Sequence, residues 1–116
     1  MDNLNKLKKR AIEFGFDESL VNSIKFKYNG KFNLNGTLGR YCPIKKTIEI
    51  APLIDNDVIF PTVAHELVHA LQRETMGLVP YLLALTFQRK RIEEDAMEVE
   101  NLLYEQFEEE ARKAVL

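Results

Sequence analysis

Apolar residues recur at helical spacing at the start of the chain, at Leu4, Leu7, Ala11 and Phe14, and Gly15 follows as a stop. The pattern predicts a short amphipathic helix, and Asp17 is placed to cap one further turn through Val21. The period then drops to two. Ile24, Phe26 and Tyr28 alternate with lysines, Asn29-Gly30 follows, and Phe32 and Leu34 alternate with Asn33. Because Asn-Gly tolerates the positive φ angles of a two-residue turn, this stretch predicts a β-hairpin. Gly36, Gly39 and Cys42-Pro43 interrupt the next stretch, so residues 37–41 form at best a short strand. Residues 46–51 alternate again, with Thr47 and Glu49 opposite Ile48 and Ile50, and Pro52 ends them. They are the candidate edge strand, able to hold an extended peptide by main-chain pairing, with an ordinary inner strand as the equal alternative because strand order cannot be read from the pattern.

Three helical stretches complete the chain. Phe60-Pro61 opens the first and Met76-Gly77 closes it, since proline suits the first helical position and glycine the residue past the end. Val63, Ala64, Leu67, Val68, Ala70 and Leu71 share its core-facing arc, with His65, His69 and Gln72 opposite. Residues 79–87 are apolar almost all round, too short for the roughly 20 residues that span a bilayer. Burial against the sheet or the preceding helix is the expectation, ahead of a membrane-surface or partner-binding helix. From Lys90 to about Lys113 a long acidic helix runs without proline or glycine, its apolar stripe being Ile92, Ala96, Val99, Leu103 and Phe107.

The only two histidines of the chain both fall in His65-Glu66-Leu67-Val68-His69. On a helix, residues four apart stack on one face, so the two imidazoles can grip one metal ion while Glu66 reaches water beside it as general base. Zinc needs a third protein ligand if the fourth position is to stay open, and no histidine remains to supply it. A carboxylate or Cys42 must serve. Periodicity brings Glu93 and Glu100 to the border of the last helix's apolar stripe, about 10 Å apart along the axis, so only one of them can ligate.

Composition narrows the class. With 116 residues, 46% of them apolar, the chain reads as a single α+β domain over residues 1–116: an N-terminal helix, a small, mostly antiparallel sheet, the motif helix and a long C-terminal helix. A net charge of -2 gives no footprint for nucleic acid. The polar opening lacks a signal-peptide pattern and the single Cys42 fits a reducing compartment, so a cytoplasmic location is expected. Cys42 reads first as a small buried thiol, and second as a latency ligand for the open metal site.

The pairing of His65-Glu66-Leu67-Val68-His69 with Arg91-Ile92-Glu93-Glu94-Asp95-Ala96 resembles the gluzincin branch of the zincin metallopeptidases, and the small size resembles the single-domain minigluzincins. The resemblance covers roughly residues 60–104. It implies a zincin-like fold, one Zn2+ per chain held by His65, His69 and Glu93, and hydrolysis of a peptide or protein substrate with Glu66 as general base. The aspartate often found four residues after the ligand glutamate is Met97 here, which leaves Glu100 or a backbone carbonyl to orient the ligand histidines. Tyr41, Tyr81, Tyr104 and Arg73 are the candidate oxyanion donors. The alternative is a non-catalytic zinc-binding or helical protein-interaction module, which has no use for the general base Glu66.

Overall fold

The computed structural model describes residues 3–115, and the side chains of all of these except Tyr104 and residues 106–115. The chain runs α1 (Asn3–Phe14), α2 (Glu18–Ser23), β1 (Lys25–Tyr28), α3 (Phe32–Asn35), β2 (Gly39–Cys42), β3 (Thr47–Ile50), α4 (Asn56–Met76), α5 (Leu78–Phe87) and α6 (Arg89–Val115). The fold is α+β around a three-stranded sheet. Leu7 and Ala11 bury the inner face of α1, and Gly15, at φ 131°, ends it. Asp17 precedes α2 as expected, although its side chain makes no capping hydrogen bond.

The expected hairpin at Asn29-Gly30 does not form. Residues 32–35 turn into the short helix α3, and β1 instead pairs in parallel with β3, Phe26 opposite Ile48. Asn29 explains the difference: its side-chain amide donates to Glu49 on β3 at 2.7 Å, and its side-chain oxygen accepts from the Lys31 backbone N–H at 3.0 Å. An Asx-type turn feeding a helical turn takes the place of a two-residue hairpin turn. β2 pairs antiparallel with β3 on the other side, Tyr41 opposite Ile48. The order is therefore β1-β3-β2, a mixed sheet rather than a mostly antiparallel one. β3 is the central strand, so the expected edge at residues 46–51 is an inner strand, and β2 is an edge.

α4 is the axis of the molecule. It begins at Asn56, five residues before the expected start at Pro61, because Asp55 caps it by accepting from the Asp57 N–H at 2.9 Å. Pro61 thus sits inside the helix, where its missing N–H leaves the Asp57 carbonyl without its helical partner. The middle of α4 is buried nearly all round, from Ile59 to Ala70 with only His65 partly open. Phe60, Val63, Ala64 and Leu67 join Leu7, Val21, Ile48, Ile50 and Leu103 in the main core. Leu71, expected to pack, is 46% exposed. Gly77, at φ 89°, turns the chain sharply into α5. α6 returns along α4 with Ile92, Ala96 and Leu103 buried and Val99 half-buried, as the stripe predicts; Phe107 lies outside the described side chains. Among the described residues, no helix is long and apolar enough to cross a membrane.

Candidate metal centre

Helical phase puts His65 and His69 on the α6-facing side of α4, and α6 carries Glu93 on the flank of its own buried stripe. The three side chains meet there. His69 Nε2 lies 3.1 Å from Glu93 Oε1, His65 Nε2 lies 3.2 Å from Glu93 Oε2, and the two Nε2 atoms are 3.2 Å apart. One ligand atom from each residue falls within 4.8 Å of the others. Four-coordinate zinc with bonds of about 2.0 Å has donor atoms about 3.3 Å apart along each edge of the tetrahedron. The separation of the two Nε2 atoms matches that spacing, Glu93 meets the two rings through different oxygens, and two imidazoles with one carboxylate form a suitable donor set for an open zinc site. Cys42 is a free, half-buried thiol and takes no part in the cluster.

The surrounding groups fix the protons. Gln72 Oε1 can only accept, so the 3.0 Å contact with His69 Nδ1 places the His69 proton on Nδ1 and its lone pair on Nε2, facing Glu93. Gln72 Nε2 donates in turn to the Ile92 carbonyl at 3.1 Å, tying α4 to α6 one residue before Glu93. Burial lowers the pKa of His69, which favours the neutral, ligating form. Glu100 Oε2 stands 3.3 Å from His65 Nδ1, the nitrogen facing away from Glu93. That approach misses hydrogen-bond geometry and leaves His65 Nδ1 as a buried nitrogen without a hydrogen bond. Glu93 and Glu100 thus address opposite nitrogens of one ring, two turns apart on α6. Sequence reasoning named Glu100 for this place and missed Gln72, although its spacing of three residues from His69 on the same helix face is a readable signal.

Glu66 is 8% exposed and buried beside the cluster. Desolvation is the main cause that pushes its carboxyl pKa up to about 7, with Glu93 and Glu100 adding to the rise; His65 and a hydrogen bond donated by the Tyr41 backbone N–H oppose it. The N–H comes from the open side of β2. Ala51 donates to the Leu38 carbonyl, so by the alternation of an antiparallel ladder Gly39 and Tyr41 turn their backbone groups away from β3. β2 passes over α4 so closely that a Cβ on Gly39 would stand 2.8 Å from Thr62 Cγ2 and 3.7 Å from Glu66 Cγ.

Of the candidate oxyanion donors, Tyr81 is 2% exposed, and burial raises its phenol pKa, with Tyr41, Glu66 and Glu93 pushing the same way. Among the described candidates it is the one whose hydroxyl feels both Glu66 and Glu93. Tyr41 packs its ring in the main core, and Arg73 Nε donates to the Pro43 carbonyl at 3.3 Å. The Tyr104 side chain lies outside the described residues. A cavity of about 730 Å³ opens on the other flank of the α4–α6 contact, between Val68, Leu71, Val99 and the Phe14–Phe16 corner, and shares only Gln72 with the residues around the cluster. In comparisons with known proteins the chain matches no family model, no curated protein and no solved structure.

Proposed function

We propose that this chain is a small zinc-dependent metallopeptidase of the gluzincin kind, with His65, His69 and Glu93 as metal ligands and Glu66 as general base. The observation that carries the reading is the convergence of those three ligands beside a buried carboxylate held by a strand-edge N–H. A zinc ion bound there supplies a Lewis acid and brings the acidity of water towards neutrality. Glu66, with a pKa of about 7, suits both accepting a proton at its carboxylate and returning it to a leaving amine. The Tyr41 N–H orients that carboxylate. The outward backbone of Gly39 and the outward carbonyl of Tyr41 suit an extended peptide lying along β2, which gives sequence-tolerant binding. Tyr81 is the favoured hydroxyl donor for the developing oxyanion.

Elemental analysis of protein purified without added metal tests the ligands. About one zinc per chain, lost or weakened in Glu93→Ala, is expected. Glu66→Gln should keep zinc and the thermal midpoint while cleavage of a peptide mixture falls by about 100-fold or more. No zinc in the wild type, even when zinc is supplied, overturns the reading. Zinc bound with no cleavage of any peptide replaces it with a non-catalytic zinc protein.

A further inference from the structure

α5 carries no charged residue, and one side of it is open. Tyr81 and Ala84 bury the inner side against Ile92 of α6. On the outer side Val79 is 65% exposed, Leu83 54% and Phe87 78%, and Met76 at the end of α4 continues the stripe at 38%. The burial expected of residues 79–87 thus holds on one side of the helix only. Thr86 shares the open arc, and its hydroxyl is satisfied within the helix by the Leu82 carbonyl at 3.1 Å.

Directly after Phe87 and Gln88 come Arg89, Lys90 and Arg91, all exposed. Among the described residues none of the three makes an ion pair, although Glu94 and Asp95 stand one turn further along α6. Their position opposes local stability. They occupy the first turn of α6, which holds no acidic residue, and positive charge there works against the helix dipole. Three unpaired cations kept at an unfavourable helix end, beside an open apolar stripe, match a surface that offers anions and hydrocarbon together.

We propose that α5 and the start of α6 form a docking face for an anionic lipid bilayer, with Val79, Leu83 and Phe87 entering the acyl boundary and Arg89, Lys90 and Arg91 meeting the head groups. Ten helical residues extend about 15 Å, half the hydrocarbon thickness, so α5 lies in the interface rather than across it. The face of so short a helix, about 10–12 Å wide, offers a few hundred Å², short of the roughly 800 Å² per partner of a standard protein interface. A bilayer sets no such minimum, and apolar insertion with basic residues alongside is the usual chemistry of interfacial helices. The inference is independent of peptide cleavage, because Val79, Leu83 and Phe87 open on the side of α5 opposite the buried Tyr81.

The test is sedimentation of the full chain with vesicles of phosphatidylcholine containing about three-tenths phosphatidylserine, and with phosphatidylcholine alone. Expected is binding to the anionic vesicles at least about 10-fold stronger than to the neutral ones, weakened by salt. Two variants, Leu83→Ser with Phe87→Ser, and Arg89→Gln with Lys90→Gln and Arg91→Gln, should each lose about 10-fold or more. The second should keep or raise its thermal midpoint, since it removes charges opposed to the helix dipole. Absence of wild-type binding overturns the proposal, as does binding that survives loss of Leu83 and Phe87. A wild-type dimer that the Leu83 and Phe87 variant converts to monomer, without vesicle binding, overturns it in favour of a second copy of the chain.

Discussion

Glu100 and Gln72 stand clear of the Nε2 atoms that face Glu93, yet each addresses the far nitrogen of a proposed ligand ring. Groups in that position set ring orientation and basicity, and their loss typically weakens metal affinity 10- to 100-fold. Glu100→Ala and Gln72→Ala are each expected to fall in that range when zinc is titrated against a competing chelator. Glu49 makes a separate prediction about acid stability. The hydrogen bond from Asn29 is the largest cause holding its pKa below the ordinary 4.5, and Arg40 at 3.0 Å and Lys27 at 3.7 Å help. A carboxyl that holds its proton more weakly folded than unfolded adds stability that is complete above its unfolded value and drains away as pH falls through its folded one. The gap in urea midpoint between wild type and Glu49→Gln should therefore be open at pH 7 and close below pH 4.5. That His65 and His69 share a face was legible in the sequence because helical phase alone decides it, whereas phase left Glu93 and Glu100 equal and the resemblance of the surrounding motif singled out Glu93. The setting of Glu49 was not legible, because its partners come from β1, the turn after it and β2, and no local pattern encodes the strand order that brings them together.

At the level of elements, the contact of β2 with α4 sets the distance between the outer edge of β2 and Glu66, the proposed general base. Gly39→Ala puts a methyl where Thr62 Cγ2 stands at 2.8 Å, and β2 must move away from Glu66. Zinc content should be unchanged while cleavage drops about 10-fold or more, since small misplacements of reacting groups are costly. A ratio of cleavage rates near one would show that Thr62 yields instead. The same scale explains which elements the sequence predicted. α1, α4 and α6 have long apolar periods that packing reinforces, whereas four-residue strands carry too few positions to reveal their partners. Asn29-Gly30 misled because a turn signal specifies a bend and not the strand that follows it. The start of α4 was misplaced because Asp55 and Asp57 outweigh the preference of Pro61 for the first helical position.

For the molecule as a whole, the long axis of 49 Å against 31 and 27 Å reflects α6, whose 27 residues alone run about 40 Å. Its basic start at Arg89, Lys90 and Arg91 is followed by an acidic run over residues 93–110, a charge separation that the net charge of -2 conceals and that was readable from the sequence. Which surface the basic end adjoins was not, since the side of α5 left open depends on how α6 folds back. The parallel pairing of β1 with β3 has a kinetic consequence. β2 and β3 are joined by a four-residue connection and can zip together locally, but β1 must close a loop across α3 and β2 before it gains a single partner. β1 is thus the last strand to join. Phe26→Leu, costing about 1–1.5 kcal/mol, should speed unfolding and leave the refolding rate nearly unchanged, whereas Ile48→Val in β3 should slow refolding. Chevron plots of the two variants would show it, and a refolding limb slowed by Phe26→Leu would place β1 in the nucleus instead. The strand that finishes the sheet is also the one that shields the inner strand's second edge, so loss of β1 bares an aggregation-prone edge at β3.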